Sequence, residues 1–358
     1  ILIVDTPELS RSLYEDCSEF LGNYVNVIHV PEIDTHPMSG LEFGSFSNIE
    51  RNGSISKILD LKNKNFLAIT SGLSVAQKTP NLEFLANEGT LNAHINQKIK
   101  ISEIVNKLSF LGYERTHVVE QSGEFCVRGS LIDVFPVGNK NPVRIDFISD
   151  EIESIRNFDQ ESQKTIKHLK KVSIRVSSQL PTTTKTSIAK KNSDGCLLDI
   201  FDENSILVIG EPQSVEISLK EYEKRFSFNK KDRFTYGQKD IAKRLLKFDK
   251  RINIKNLMIS NKVTENFVRV EKIDLNVQNQ RSLDPIGKAA NQIIEYSKNF
   301  IVMVASNNIE RLKERVNEHF GEDKELKKRI YFEKKSINNS FGIKVANQGG
   351  VIFLGDQE

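Results

Sequence analysis

The sequence predicts an α/β protein: a parallel-sheet domain in two halves, an inserted, mainly antiparallel β module, and a small C-terminal α/β domain. Three observations carry this. Short apolar runs alternate with helical spacing in the first hundred residues. Period-2 alternation with closely spaced turn residues replaces that texture from about Ile99. The first texture then returns near Cys196. The expected boundaries are 1–98 for the first half, 99–180 for the β module, 181–296 for the second half and 297–358 for the small domain.

Each element follows from local pattern. Ile1–Val4 is a strand. Thr6–Leu21 has helical spacing in Leu9, Leu13, Tyr14, Cys17, Phe20 and Leu21, with Thr6 or Pro7 at its start. Val25–Val30 and Phe66–Thr70 are further strands, the latter ending in Ser71-Gly72. Strand ends such as Asp5-Thr6 and Ser71-Gly72 lie where parallel sheets hold ligands. Ile101–Leu111 is a short amphipathic helix stopped by Gly112. The meander comprises His117–Glu120, Phe125–Arg128, Leu131–Phe135, Val143–Ile148, Ile152–Phe158 and Val172–Val176. Pro181 and Thr182–Thr186 read as a linker. Ser205–Gly210 is a buried-type strand, Glu216–Phe226 a helix, and Ile254–Ile259 and Phe267–Val270 two more strands. In the last unit, Phe300–Ala305 is a strand, Asn308–Phe320 a helix, and Tyr331-Phe332 and Val351–Leu354 strands.

Composition excludes several classes. Of 358 residues, 51 are Lys or Arg and 48 Asp or Glu, giving a net charge of +3 with both signs interspersed. A DNA-binding domain concentrates its cations, so this balance is no nucleic-acid footprint. With 38% hydrophobic residues the chain is neither disordered nor fibrous. The longest apolar run, Phe300–Ala305, is far below the roughly 20 residues of a spanning helix. No signal peptide opens the chain, and a start at Ile-Leu-Ile-Val without Met suggests further sequence upstream. Cys17, Cys126 and Cys196 are odd in number and widely spaced, which agrees with a reducing, cytoplasmic setting and offers no zinc site. The six histidines (29, 36, 94, 117, 168 and 319) show no ligand spacing. The expectation is no metal.

Enzyme chemistry finds little support. No GxxxxGK[ST] or GxGxxG occurs, though a phosphate loop upstream of Ile1 would escape notice. A Walker-B strand ends in an acid that holds Mg²⁺. Here Ile206-Leu207-Val208-Ile209 runs into Gly210, then Glu211, Pro212 and Gln213. Glycine supplies no oxygen, so Gly210 and Glu211 mark a degenerate Walker-B position and no catalytic residue is expected. The acids Asp150, Glu151 and Glu153 read as a hairpin tip. Ser71, Ser122 and Ser130 lack a neighbouring His with an orienting acid.

The most informative stretch is Gly123-Glu-Phe-Cys-Val-Arg128-Gly-Ser-Leu-Ile-Asp133-Val-Phe-Pro136, continued by Val143-Arg144-Ile-Asp146-Phe-Ile148-Ser-Asp150-Glu-Ile-Glu-Ser-Ile-Arg156. Strand alternation puts Val143, Ile145 and Phe147 on a core face and Arg144, Asp146 and Ile148 on the other. An Arg beside a bare aliphatic residue suits a protein interface. A solvated strand with an Arg–Asp pair explains the same pattern.

These motifs resemble the damage-recognition module shared by the excinuclease protein UvrB and the bacterial transcription-repair coupling factors. Flanking similarity is weaker. Pro31-Glu-Ile-Asp-Thr-His-Pro37 resembles a coupling-factor segment whose Trp is absent here, and Gly350–Glu358 resembles the strand before the polymerase-binding domain. Two features favour the coupling factors: no Tyr-rich DNA-inserting hairpin at Pro31–Phe46, and the degenerate acid motif at Gly210.

The resemblance implies a degenerate helicase-like (RecA-like) fold without ATPase activity or a cofactor of its own. It implies a module that binds the excinuclease protein UvrA through Arg128, Arg144 and Ile148, recruits it to stalled RNA polymerase, and takes part in autoinhibition. Ile148 stands where the family often has Phe, which removes aromatic area. RNA polymerase, double-stranded DNA, ATP and Mg²⁺ would belong to downstream parts of the parent, an ATP-dependent DNA translocase. The alternatives are an ATP-dependent, DNA-binding UvrB-like protein and a scaffold without a partner site.

Overall fold

The computed structural model describes residues 1–33, 46–61, 64–177, 194–226, 235–254, 270–271, 284–306, 309–320, 327–334, 341–345 and 349–355. The segments expected to hold the 31–46 difference and the 181–186 linker, and the strands expected past Ile254 and before Val270, lie largely or wholly outside these residues. The chain divides into one unit of Ile1–Tyr14 with Val25–Asn256 and a second of Glu15–Tyr24 with Leu257–Glu358.

The larger unit begins with β1 (Leu2–Val4), the start of α1 (Pro7–Leu21), β2 (Asn26–Val30), α2 (Phe46–Asp60) and β3 (Phe66–Ser71). Next come α3 (Gly72–Ala76), β4 (Lys78–Thr79), α4 (Leu82–Ala86), β5 (Thr90–His94) and α5 (Ile101–Phe110). The meander is β6 (Glu114–Arg115), β7 (Glu124–Arg128), β8 (Leu131–Val134), β9 (Val143–Ile148), β10 (Glu151–Phe158) and β11 (Thr165–Leu169). The chain returns through β12 (Lys171–Arg175), β13 (Gly195–Cys196), β14 (Ile206–Gly210), α6 (Pro212–Phe226), α7 (Gln238–Leu245) and β15 (Lys250–Ile254).

A five-stranded parallel sheet of order β15-β14-β1-β3-β2 unites the two halves of the α/β part. The meander forms a separate six-stranded sheet, β11-β10-β9-β8-β7-β6, antiparallel except at β6–β7. One apolar core runs through both parts, from Ile3, Ile28 and Ile55 to Ile104, Phe125, Ile132 and Ile145. Close backbone approach fastens them. A Cβ on Gly53 of α2 would stand 2.8 Å from the Gly138 nitrogen. The chain that leaves the meander is tied to the same helix: Arg175 bonds Ser56 Oγ at 2.9 Å and pairs with Asp60 at 2.7 Å, and Asn52 donates to the Ser177 carbonyl.

Among the elements that differ from the sequence reading, four bear on the meander and its support. His117–Glu120 is not a strand: the Glu124 carboxylate accepts from the Glu120 and Gln121 N–H groups and holds a turn there. The Val172–Val176 strand forms as β12, but it pairs with β5 outside the meander. β11 was not expected, since its exposed polar residues carry no period-2 apolar signal. The helix α2 was missed because Asn48, Arg51, Asn52 and Ser56 occupy its buried face, where apolar residues normally mark helical spacing.

The smaller unit has β16 (Val270–Glu271), α8 (Pro285–Ser297), β17 (Ile301–Ala305), α9 (Ile309–Phe320), β18 (Ile330–Glu333), β19 (Phe341–Val345) and β20 (Gly349–Leu354). Its sheet order is β16-β19-β20-β17-β18, with β17 parallel to β18 and β20. Ala290, Ile293, Val302, Val316 and Ile352 form its core. Asp284 caps α8, accepting from the Gly287 N–H at 2.9 Å, and Pro285 fills the first turn.

Candidate functional site

The outer face of the meander sheet collects the expected site residues. Register aligns Cys126, Asp133, Arg144, Arg156 and His168 in one row across β7 to β11. The neighbouring row is Arg128, Leu131, Asp146 and Ser154. Ile148 follows, opposite Glu151. Val143, Ile145 and Phe147 point the other way and are buried, as strand alternation requires.

Asp133 is the hub of this face. Arg144 grips it with two hydrogen bonds, Nε to Oδ1 at 2.6 Å and Nη2 to Oδ2 at 2.8 Å. That bidentate geometry is the strong form of the ion pair. The guanidinium lies over the Phe158 ring, 4.5 Å from its centroid, and Nη2 also donates to Gln163 Oε1 at 2.8 Å. The Arg144 side chain is only 14% exposed and that of Asp133 3%. Its hydrogen bond to Asp133 raises Arg144 above its usual basicity, against the opposing effect of burial. A second pair stands beside the first: Arg156 Nη1 bonds Asp146 Oδ2, which also accepts from Ser154 Oγ at 2.6 Å.

Arg128 reaches the same carboxylate more loosely, with Nη2 3.7 Å from Asp133 Oδ2, and its side chain is 48% exposed. Ile148 is 60% exposed. The three expected residues therefore share one face but not one environment. Arg128 and Ile148 stand out from the sheet, while Arg144 is laid down between an acid and a ring. The expectation of a wholly exposed face carrying Arg144, Asp146 and Ile148 is corrected: Asp133 and Asp146 are buried beneath their arginines. The sequence marks Asp133 and Arg156 only as parts of the motif and Phe158 only as the end of a strand. Their signal was the hairpin register, which puts Asp133 opposite both Cys126 and Arg144.

Gly210 closes β14 in the parallel sheet, and a Cβ there would sit 3.2 Å from Val4 Cγ1. Glu211 follows with a positive φ of 48°, its N–H donating to the Ile254 carbonyl at 2.7 Å before α6 starts at Pro212. Among the described residues, no three His, Cys, Asp or Glu side chains are placed to hold a metal. No described helix is long and apolar enough to cross a membrane.

Residues 91–179, the stretch that contains this face, match the family described as UvrB interaction domain. The chain is 28% identical to the transcription-repair-coupling factor of Staphylococcus aureus (strain MRSA252) over 246 residues, 67% of this chain and 20% of that protein. It is 39% identical to the Staphylococcus haemolyticus transcription-repair-coupling factor over 88 residues, 25% of this chain and 7% of the relative. The Escherichia coli protein of the same name is 35% identical over 86 residues, 24% of this chain and 8% of the relative. The aligned regions thus span a fifth or less of these relatives' length. The chain is similar to bacterial transcription-repair-coupling factors over these regions, and its residues 91–179 match the UvrB interaction domain.

Proposed function

We propose that this chain is a docking module of transcription-coupled nucleotide excision repair, which binds UvrA and recruits it to stalled RNA polymerase. The carrying observation is the pair Arg128 and Ile148, exposed on one rigid sheet face with Arg144 fixed between an acid and a ring. A cation and an aliphatic side chain held on a sheet lose little freedom on binding, and interfaces draw their energy from a few such anchors. The match to the UvrB interaction domain over the same residues supports this choice of partner.

Under this reading the module is non-catalytic and cytoplasmic and holds no cofactor. Gly210, in the place of a Mg²⁺-binding acid, supports that reading. ATP, Mg²⁺ and double-stranded DNA belong to a translocase motor elsewhere in the parent. The same face is masked in the intact parent until RNA polymerase engages.

Capture of the chain by immobilised UvrA tests the proposal. Arg128→Ala is expected to weaken capture about thirtyfold, a hot-spot loss of about 2 kcal/mol, and Ile148→Asp to abolish it. Undiminished capture of the folded double variant rules the proposal out.

A further inference from the structure

On the sheet that carries the candidate site, positive charge is unevenly compensated. Arg144 and Arg156 each lie against their own aspartate. The edge strand β11 and its following turn have no such partners. Residues 164–171 read Lys-Thr-Ile-Lys-His-Leu-Lys-Lys, with four lysines, one histidine and no acid. All but Leu169, which is half-buried, are exposed. Among the described residues, none of Lys164, Lys167, His168, Lys170 and Lys171 takes part in an ion pair. β11 ends the sheet, with no described strand on its outer side.

Lysines on an edge strand deter pairing with a second copy of the same edge. That repulsion disfavours the same edge of a second copy and favours an acidic occupant. Two anionic surfaces qualify by charge, a nucleic-acid backbone and a carboxylate-rich protein segment. Ile166 separates them. It stands 53% exposed amid the lysines, at the bulge where the β10–β11 register shifts. An aliphatic side chain gains nothing against a row of phosphates, whereas protein contacts combine apolar and charged groups.

We propose that Lys164–Lys171 is a second docking surface, for an acidic protein segment with aliphatic residues among its carboxylates. The surface is distinct from Arg128, which lies four strands away in the same sheet, roughly 19 Å at about 4.8 Å per strand. The contact is largely electrostatic and weakens as salt rises.

The test uses the whole chain, a fluorescent peptide of alternating glutamate and valine, and a short mixed-sequence DNA duplex. The peptide is expected to bind and to protect Lys164, Lys167, Lys170 and Lys171 from acetylation, read by mass spectrometry. Lys167→Glu/Lys170→Glu is expected to weaken binding at least about tenfold, Ile166→Ser to weaken it severalfold, and Arg128→Ala to leave it unchanged. These sites are exposed, so the variants fold, and circular dichroism verifies that. The proposal is overturned if the peptide fails to bind, if it leaves these lysines unprotected, if charge reversal has no effect, or if the duplex binds more tightly than the peptide.

Discussion

Arg144 and Asp133 form a two-pronged pair, at 2.6 and 2.8 Å, across adjacent strands of the meander, with the acid almost wholly covered. Removing one member of a covered pair strands the other's charge, which costs more than the pair contributes. Arg128, at 3.7 Å, compensates only part of that loss. Arg144→Ala is therefore expected to destabilise the chain by roughly 2–4 kcal/mol. Arg144→Lys keeps the charge but not the fork, and is expected to fall between. Urea denaturation of the three proteins measures this. A stability loss below about 0.5 kcal/mol for Arg144→Ala would show the pair to be solvated. The same geometry makes Arg144 a poor probe of docking, since its loss disturbs the sheet that presents Arg128 and Ile148.

Cys196 is buried beside the Val75 carbonyl, with Sγ 3.6 Å from that oxygen, and burial pushes its thiol up to about 11. Its thiolate is thus scarce at pH 8, and native Cys196 is expected to resist alkylation while unfolded protein reacts freely. The stability consequence has a definite sign. Above about pH 9 the unfolded thiol ionises and the folded one does not, so unfolding gains and stability falls with rising pH. Tyr113, also pushed up by burial, adds a loss of the same sign from about pH 10. The melting temperature is expected to drop between about pH 9 and 11, and less steeply in Cys196→Ala. Equal slopes would refute this assignment.

Gly138 and Gly129 both have positive φ, of 82° and 58°, but differ in their surroundings. A Cβ on Gly138 would meet the Gly53 carbonyl oxygen at 2.5 Å, whereas one on Gly129 meets nothing within 4 Å. Gly129→Ala is expected to cost only the left-handed conformation, about 1 kcal/mol. Gly138→Ala adds a clash of backbone with backbone, which neither partner relieves by rotating a side chain. It is expected to cost at least twice as much, in urea midpoints measured side by side. Equal losses would mean that α2 shifts freely against the meander.

The parts of the fold that bury apolar residues at a regular period were legible from sequence. Val143, Ile145 and Phe147 marked their face of β9, and Ile206–Ile209 marked a parallel strand, although the expected full burial is not met: of these four only Leu207 is buried and Ile206 is exposed. Where polar residues are buried the signal disappears, as in α2, whose inner face holds Arg51 and two asparagines. The residues of the candidate face were legible, but their environments were not. The pairing of Arg144 with Asp133 and Phe158, and of Arg156 with Asp146, depends on strand register. In the β9–β10 ladder, which sets the contacts of Arg156 and Phe158, a register shift between Ile152 and Ser154 moves the pairing by one residue, and the alternation in the sequence does not reveal it. Exposure was consequently overestimated for Arg144.

Arg51 shows what the polar interior of α2 does. It is fully buried, and its guanidinium donates to the carbonyls of Pro31, Ser74 and Gln77 and to Ser74 Oγ. These acceptors lie just past β2 and around the end of α3, where regular structure leaves carbonyls without partners. Burial pulls the guanidinium down to about 10, so it stays charged at neutral pH. One side chain thereby joins three segments that no ladder connects. Arg51→Met retains much of the volume but strands several carbonyls, each costing about 1–3 kcal/mol. Arg51→Lys keeps a cation but cannot span the same acceptors. The expected stability order is wild type, then Lys, then Met, with Met losing at least about 3 kcal/mol in urea. If Arg51→Met were as stable as the wild type, water or a rearranged loop would have to satisfy those carbonyls, and Arg51 would not be the clasp of this sheet edge.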